Sequence, residues 1–244
     1  MSVVASSAIG VTGYCPRCDR EHRLIRTAAA VTAVRTLVET LVASGRLDLD
    51  ATVAHLRYRT ELLFAPGGGK MLGVMLAEAP GGAVITLRAF SGQVGNAWFL
   101  DGWVPPVFDA IRAATLEQTY EPEIAAMTKR LRDGSDPALR ARRRELSRRW
   151  TEAHQALYVL CNGRGERLPM VEAATHQGLA TGTGDCCAPK LLQAATLSGL
   201  RPLGMAEVWL GAPGTLGWQS GELYAACTDK CGPIVGFMLC GHVP

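Results

Sequence analysis

The chain has 244 residues, 48% hydrophobic and 19% charged, with a formal net charge of +3. That is an ordinary globular balance, enough for one domain with an insertion or for two small ones, and too weakly basic in total to imply nucleic acid. No stretch reaches the roughly 18 uninterrupted apolar residues of a membrane span. Met1 to Tyr14 also lacks the basic start and apolar core of a signal peptide. A cytoplasmic location is expected, and in a reducing compartment eight cysteines point to metal ligands, catalytic thiols or buried small side chains rather than disulfides.

In chain order, residues 1–26 form an N-terminal segment carrying Cys15-Pro-Arg-Cys18, a CxxC followed by His22. Residues 27–107 supply a first helix and a β-hairpin. The helix runs over 27–44, Ala-, Leu- and Val-rich at helical spacing and ended by Gly45. Lys70–Ala79 and Ala83–Ser91 are β-rich runs joined by Pro80-Gly81-Gly82, and Trp103-Val104-Pro105-Pro106 closes the strand section. Ala65 to Lys70 reads as a tight turn, because it lacks the GxxxxGK[ST] spacing of a phosphate loop.

Residues 108–160 turn helical, with a break near Asp133 to Pro137 where Asp136 can cap a second helix and Pro137 can open it. Leu146, Trp150, Ala153, Leu157 and Leu160 are spaced as a packing seam, so an antiparallel helical hairpin is expected. Arg140, Arg142, Arg143, Arg144 and Arg148 stand on it against Asp133, Asp136 and Glu145, a face that either holds a phosphate backbone or is merely solvated. Residues 161–244 read as a loop to Gly184, a helix over 186–198 ending at Gly199, a strand over 202–210, a cysteine loop and a buried strand over 233–240.

The chemistry sits in this last third. Gly182-Thr183-Gly184-Asp185 delivers Cys186 to a helix start, where unpaired N–H groups favour a thiolate. Some 40 residues on, Cys227-Thr-Asp-Lys-Cys231 is a CxxxC loop. Together Cys186, Cys227 and Cys231 can make a zinc site with three protein ligands and an open fourth position. Cys187 is expected to face the core, and Cys240, inside an apolar run, reads as a core cysteine. Cys15 and Cys18 are half a zinc knuckle, which either completes a second metal site across the fold or is a pair of boundary thiols. Lys190, one turn below Cys186, can steady a thiolate or substrate anion, although a solvent-facing lysine is the commoner outcome.

The pieces GKMLGVMLAEAPGGAVITLRAFSGQ, DGWVPPVFD, NGRGE, TGTGDCCAPKLLQAA, LRPLGMAEVWLG and LYAACTDKCGPIVGFML resemble the N-terminal region of the long RluA-type pseudouridine synthases, from about Tyr14 onward. That region precedes the synthase domain, which is not read in this chain. The stretch Gly45 to Thr52 echoes the RLDxxT surroundings of the synthase aspartate but lacks the following Ser-Gly, so Asp48 is read as chance and uridine isomerisation is not implied. The resemblance implies an RNA-modification setting, with RNA or a nucleotide as substrate and a pseudouridine synthase subunit as a possible partner.

The last third is also similar in layout to the cytidine deaminase-like fold: strand hairpin, helix opening on a zinc ligand, strand, then a PCxxC-type loop. The implied architecture is α/β (α+β), a deaminase-like mixed sheet flanked by helices with an inserted basic helical hairpin. Carried over, Cys186 is the first ligand and Cys227 with Cys231 the loop pair. The proton-shuttling Glu two residues after the first ligand is replaced by Ala188, which leaves Asp185 or Glu207 as the acid/base candidates. A rival likeness, to the cysteine core of transglutaminase-like proteins, makes Cys186 a nucleophile, yet the matching strand from Leu203 to Glu207 has no histidine. Three classes therefore compete: a zinc enzyme, a thiol-nucleophile enzyme, and a non-catalytic RNA-binding module with structural zinc.

Overall fold

A computed structural model describes residues 9–132, 134–214 and 217–242. Asp133, one of the acidic residues placed on the helical hairpin, lies outside the described residues. The fold is α+β. Its centre is an antiparallel sheet built from β3 (Lys70–Glu78), β4 (Val84–Phe90), β7 (Arg201–Leu210) and β8 (Leu223–Tyr224), in the order β4-β3-β7-β8. Both middle strands are buried on both faces, and their alternate residues divide the interior into two cores.

On one face, Leu72, Val74, Ala206 and Val208 meet α1 (Ala28–Ser44). Thr27 caps α1 by accepting from Ala30 N at 3.2 Å, and Gly45 ends it at φ 67°. Ala30, Val34, Leu37 and Leu41 form its buried stripe, the i, i+4, i+7 pattern of an amphipathic helix. On the other face, Met71, Met75, Met205 and Trp209 meet α5 (Cys187–Leu197) and α6 (Gly232–Leu239). The helix over 27–44, the hairpin, the helix after Cys186 and the strand over 202–210 therefore all form where the sequence puts them, to within a residue or two.

The run over 233–240, expected as a buried strand, is instead helix α6. Pro233 sits in its first turn and Pro233 to Leu239 are all buried. A short run that is apolar on every side carries no period, so strand and buried helix look alike in sequence. Residues 1–26 hold more than a CxxC segment: β1 (Ile9–Cys15) and β2 (Arg20–Ile25) form an antiparallel hairpin. The stretch from Cys161 to Gly184, read as loop, runs on from β5 (Val159–Cys161) and contains β6 (Arg167–Pro169) and α4 (Met170–Ala173), elements too short to show periodicity.

The helical hairpin forms as α2 (Ala110–Arg132) and α3 (Pro137–Gln155), with Asp136 accepting from Leu139 N at 2.9 Å. The expected seam is cut short. Helix α3 ends at Gln155, so Leu157 lies in the following turn and Leu160 in β5. Among the described residues, no helix is long and apolar enough to cross a membrane.

Helix α5 lies close on the sheet because Gly73 has no side chain: a Cβ there would sit 2.6 Å from Cys187 Cβ. Gly73→Ala is expected to cost about 1–3 kcal/mol, read as a lowered midpoint in urea unfolding with an unchanged slope.

Candidate metal centres

The Gly182-Thr183-Gly184 turn brings the chain to α5. Gly182 and Gly184 hold φ of 80° and 93°, and the Tyr158 ring fills the space a Gly184 Cβ would need, with Cε1 2.7 Å away. Cys186 becomes the N-cap of α5 and Cys231 the N-cap of α6. Cys227 lies on the loop between β8 and α6, where its carbonyl accepts from Cys231 N at 3.3 Å.

The three sulfurs converge. Cys186 Sγ lies 3.7 Å from Cys227 Sγ, which lies 3.4 Å from Cys231 Sγ, and the three atoms are all within 4.8 Å of one another. A zinc tetrahedron with 2.3 Å bonds has sulfur–sulfur edges of about 3.8 Å, so the group can hold a metal ion. Cys186 and Cys227 are half-buried and Cys231 is buried. Among the described residues no fourth protein ligand joins them, which is the pattern of a site open to water or substrate.

The protons are not where the helix start alone would put them. Hydrogen bonds with Cys186 and Cys231 hold the Cys227 thiol well below its ordinary range, against burial and helped by the Lys230 and Cys231 backbone N–H groups. Cys186 is pushed up by its bond with Cys227 and by burial, against Cys231, and Cys231 is pushed up by its bonds with Cys186 and Cys227 and then by burial.

Glu207 of β7 is buried and lies in the electric field of Cys227. Burial, with the Cys227 charge, pushes its carboxyl up to about 8, while the Ala188 backbone N–H donates to it. Its Oε1 has no hydrogen-bond partner among the described residues. Asp185 accepts from Tyr158 Oη at 2.5 Å, and burial raises its carboxyl despite Tyr158 and the Lys190 charge. Lys190 does not face solvent. It is 1% exposed, with Nζ donating to the carbonyls of Phe90 at 3.0 Å and Gly92 at 2.9 Å. Cys187 faces the core as expected, its Sγ 3.2 Å from the Met71 carbonyl.

A second cluster gathers Cys15, Cys18, His22 and Cys240, again with all ligand atoms within 4.8 Å. Cys18 Sγ lies 3.0 Å from His22 Nε2 and 3.7 Å from Cys240 Sγ. Sequence reasoning singled out Cys15 and Cys18 and noted His22 beside them, but it assigned Cys240 to the core. The spacing of 222 residues between Cys18 and Cys240 leaves no local signal. This group too can hold a metal ion.

Some of the cations on the basic hairpin are paired from within. Arg142 pairs with Glu123 at 2.8 Å, Arg148 with Glu145 and Glu152, and Arg143 Nε donates to Thr128 at 2.8 Å. Arg140 and Arg144 form no ion pair among the described residues. Asp48 is buried, facing Arg46 Nε at 3.2 Å and accepting from His55 N at 2.9 Å, so it pins a turn. No hydrogen bond joins Cys186 to a histidine among the described residues: His242 bonds Thr196 Oγ1 at 2.7 Å, His176 meets the neighbouring Gln177 carbonyl, and His154 stacks on Trp150.

Comparison of the chain with family models, with curated proteins and with solved structures finds no match.

Burial lowers the Lys190 ammonium from 10.5 to about 8. Between those values the unfolded chain binds the extra proton, so this group makes stability rise with pH over that window. Wild type is therefore expected to gain on Lys190→Met by on the order of 2 kcal/mol between pH 7.5 and pH 10, measured by urea unfolding of both at each pH.

Proposed function

We propose that the chain is a zinc-dependent hydrolase of the deaminase type. On this reading Cys186, Cys227 and Cys231 hold zinc, and Glu207 carries the proton. The substrate is an amino-bearing nucleobase in a nucleoside, a nucleotide or RNA. One observation carries it: a buried carboxyl with an orphaned oxygen lies in the field of a three-thiol cluster that no fourth protein ligand joins among the described residues. An unpaired buried acid costs stability, and such groups persist where they have work to do.

The order of elements supports the same reading. With α2 to α4 inserted after the β-hairpin, a helix opening on one ligand, the next strand in the sheet and a cysteine loop opening a second helix come in the order of the deaminase-like layout, although the expected mixed sheet is antiparallel throughout. The carboxylate that such enzymes carry two residues after the first ligand is missing at Ala188. Glu207 reaches that place from the neighbouring strand, where the Ala188 backbone N–H donates to it. Zinc held by Cys186, Cys227 and Cys231 would supply a bound water of lowered pKa, a hydroxide source for attack on an amino-bearing ring carbon. On this reading Glu207 would take up the proton the attacking water loses and deliver a proton to the departing amino group, which leaves as ammonia. Asp185, tied to Tyr158, anchors the turn that presents Cys186.

The resemblance to the long RluA-type synthases sets this chemistry in RNA modification, with a pseudouridine synthase subunit as a natural partner. Thiol sites of this kind last where thiols stay reduced, so we place the protein in the cytoplasm. The arginine face is the candidate RNA contact, with Arg140 and Arg144 as its unpaired cations. Nucleophilic catalysis by Cys186 is less well supported, since its thiol is pushed up rather than down.

Cys227→Ser is expected to lose one equivalent of zinc relative to wild type by mass spectrometry of tag-free protein. Glu207→Gln should keep the metal and slow ammonia release from a responsive nucleoside or RNA by about 10²–10⁴. Unchanged zinc in Cys227→Ser, or undiminished turnover in Glu207→Gln, removes this reading. Reversing Arg142, Arg143 and Arg144 to Glu should weaken binding of tRNA or rRNA fragments and flatten its salt dependence, and equal affinity would remove the RNA contact.

A further inference from the structure

The second cluster differs from the first in kind. It has four ligands rather than three, and Cys15, His22 and Cys240 are buried with only Cys18 half-exposed. Three thiols and an imidazole filling every tetrahedral position make a closed set, the arrangement of structural zinc. The ligands come from the two ends of the chain. Cys15 closes β1, Cys18 lies in the turn that Asp19 completes at φ 54°, and His22 stands on β2 opposite Gly13. Tyr14 Oη donates to Asp19 at 2.5 Å and braces that turn. Cys240 is the C-cap of α6.

Two features show what such a site would do. First, β1 and β2 form a sheet of only two strands, and an isolated two-stranded hairpin is marginal in water. Second, α6 lies backbone to backbone on β1. A Cβ at Gly236 would fall 2.0 Å from the Tyr14 carbonyl oxygen, and one at Gly13 would fall 2.5 Å from Gly236 N. The same helix carries Cys231 at its N-cap and Cys240 at its C-cap. Nine residues of helix span about 14 Å, so a single buried rod links the two clusters.

We propose that Cys15, Cys18, His22 and Cys240 hold a second, closed zinc that clamps the N-terminal hairpin to α6 and so fixes Cys231 in the open site. Residues of the closed site are positioning residues for the open one. The positioning half rests on the reading of Cys186, Cys227 and Cys231 as a metal site, whereas the closed zinc stands without it.

The test is zinc content by native mass spectrometry of the full chain, followed by the rate of zinc release to a colorimetric chelator. Wild type should carry two zinc ions. Cys18→Ser and His22→Ala should each carry one, released at least tenfold faster than the more labile zinc of wild type. Cys227→Ser should also carry one, released as slowly as the less labile zinc of wild type. Cys240→His, which preserves a ligand, should keep two and guards against loss through misfolding. One zinc in wild type with Cys18→Ser unchanged, or iron in place of zinc, overturns the closed site. Loss of one zinc in Cys18→Ser with unaltered release of the other overturns the coupling through α6. If Cys18→Ser loses a zinc and Cys227→Ser loses none, the closed site stands while the coupling and the proposed hydrolase both fall.

Discussion

Sulfurs this close cannot all be thiolates on their own. Two unit charges 3.7 Å apart, the separation of Cys186 and Cys227, repel by about 4 kcal/mol even at an effective dielectric of 20. The cluster must therefore keep protons or take up a cation. Of the three, the Cys227 thiol is the one lowered, through its bonds with Cys186 and Cys231 and the Lys230 and Cys231 backbone N–H groups. The surrounding structure is arranged to bring these three side chains to that choice. Two helices begin at the cluster, the sheet floors it, and Gly73 lets α5 come near enough for Cys186 to reach the loop pair.

The same constraint gives Glu207 its character. On an exposed strand it would be an ordinary carboxylate. Here burial and the Cys227 charge both disfavour ionisation, and only the Ala188 N–H favours it. The acid is held neutral at neutral pH beside a site whose cation would favour its release. Lys190 shows the opposite case: a buried cation that donates to the Phe90 and Gly92 carbonyls, which ties the loop after β4 to α5. The Gly92 N–H in turn donates to the Asp185 carbonyl at 2.9 Å. Lys190 therefore acts on the loop, and its long side chain is part of the frame.

Much of the frame was legible in the residues because it is written in local rules. Thr27 and Gly45 bracket α1, Pro80-Gly81-Gly82 turns the hairpin, and Asp136 with Pro137 opens α3. The CxxxC and the helix-start cysteine were recognisable as one group because both lie at element boundaries. The run from Pro233 to Cys240 was not legible, since an apolar stretch without a period fits a strand and a buried helix equally. That one ambiguity concealed Cys240, because a strand would have turned it into the core. The seam through Leu157 and Leu160 was overread for a related reason: spacing continues in the sequence after the helix has ended.

The sequence by itself determined the α+β class and most of the order of the central elements, since these follow from caps, turns and periods within a few residues, and it offered Cys186, Cys227 and Cys231 as one candidate ligand set. Tertiary structure alone decided that Lys190 is buried rather than facing solvent, that Glu207 rather than an exposed acid lies beside the cluster, and that Cys240 joins Cys15, Cys18 and His22. The physical reason is common to all three. Desolvation and long-range contact depend on what is packed around a group, and residues 222 positions apart come together only when the whole chain has closed.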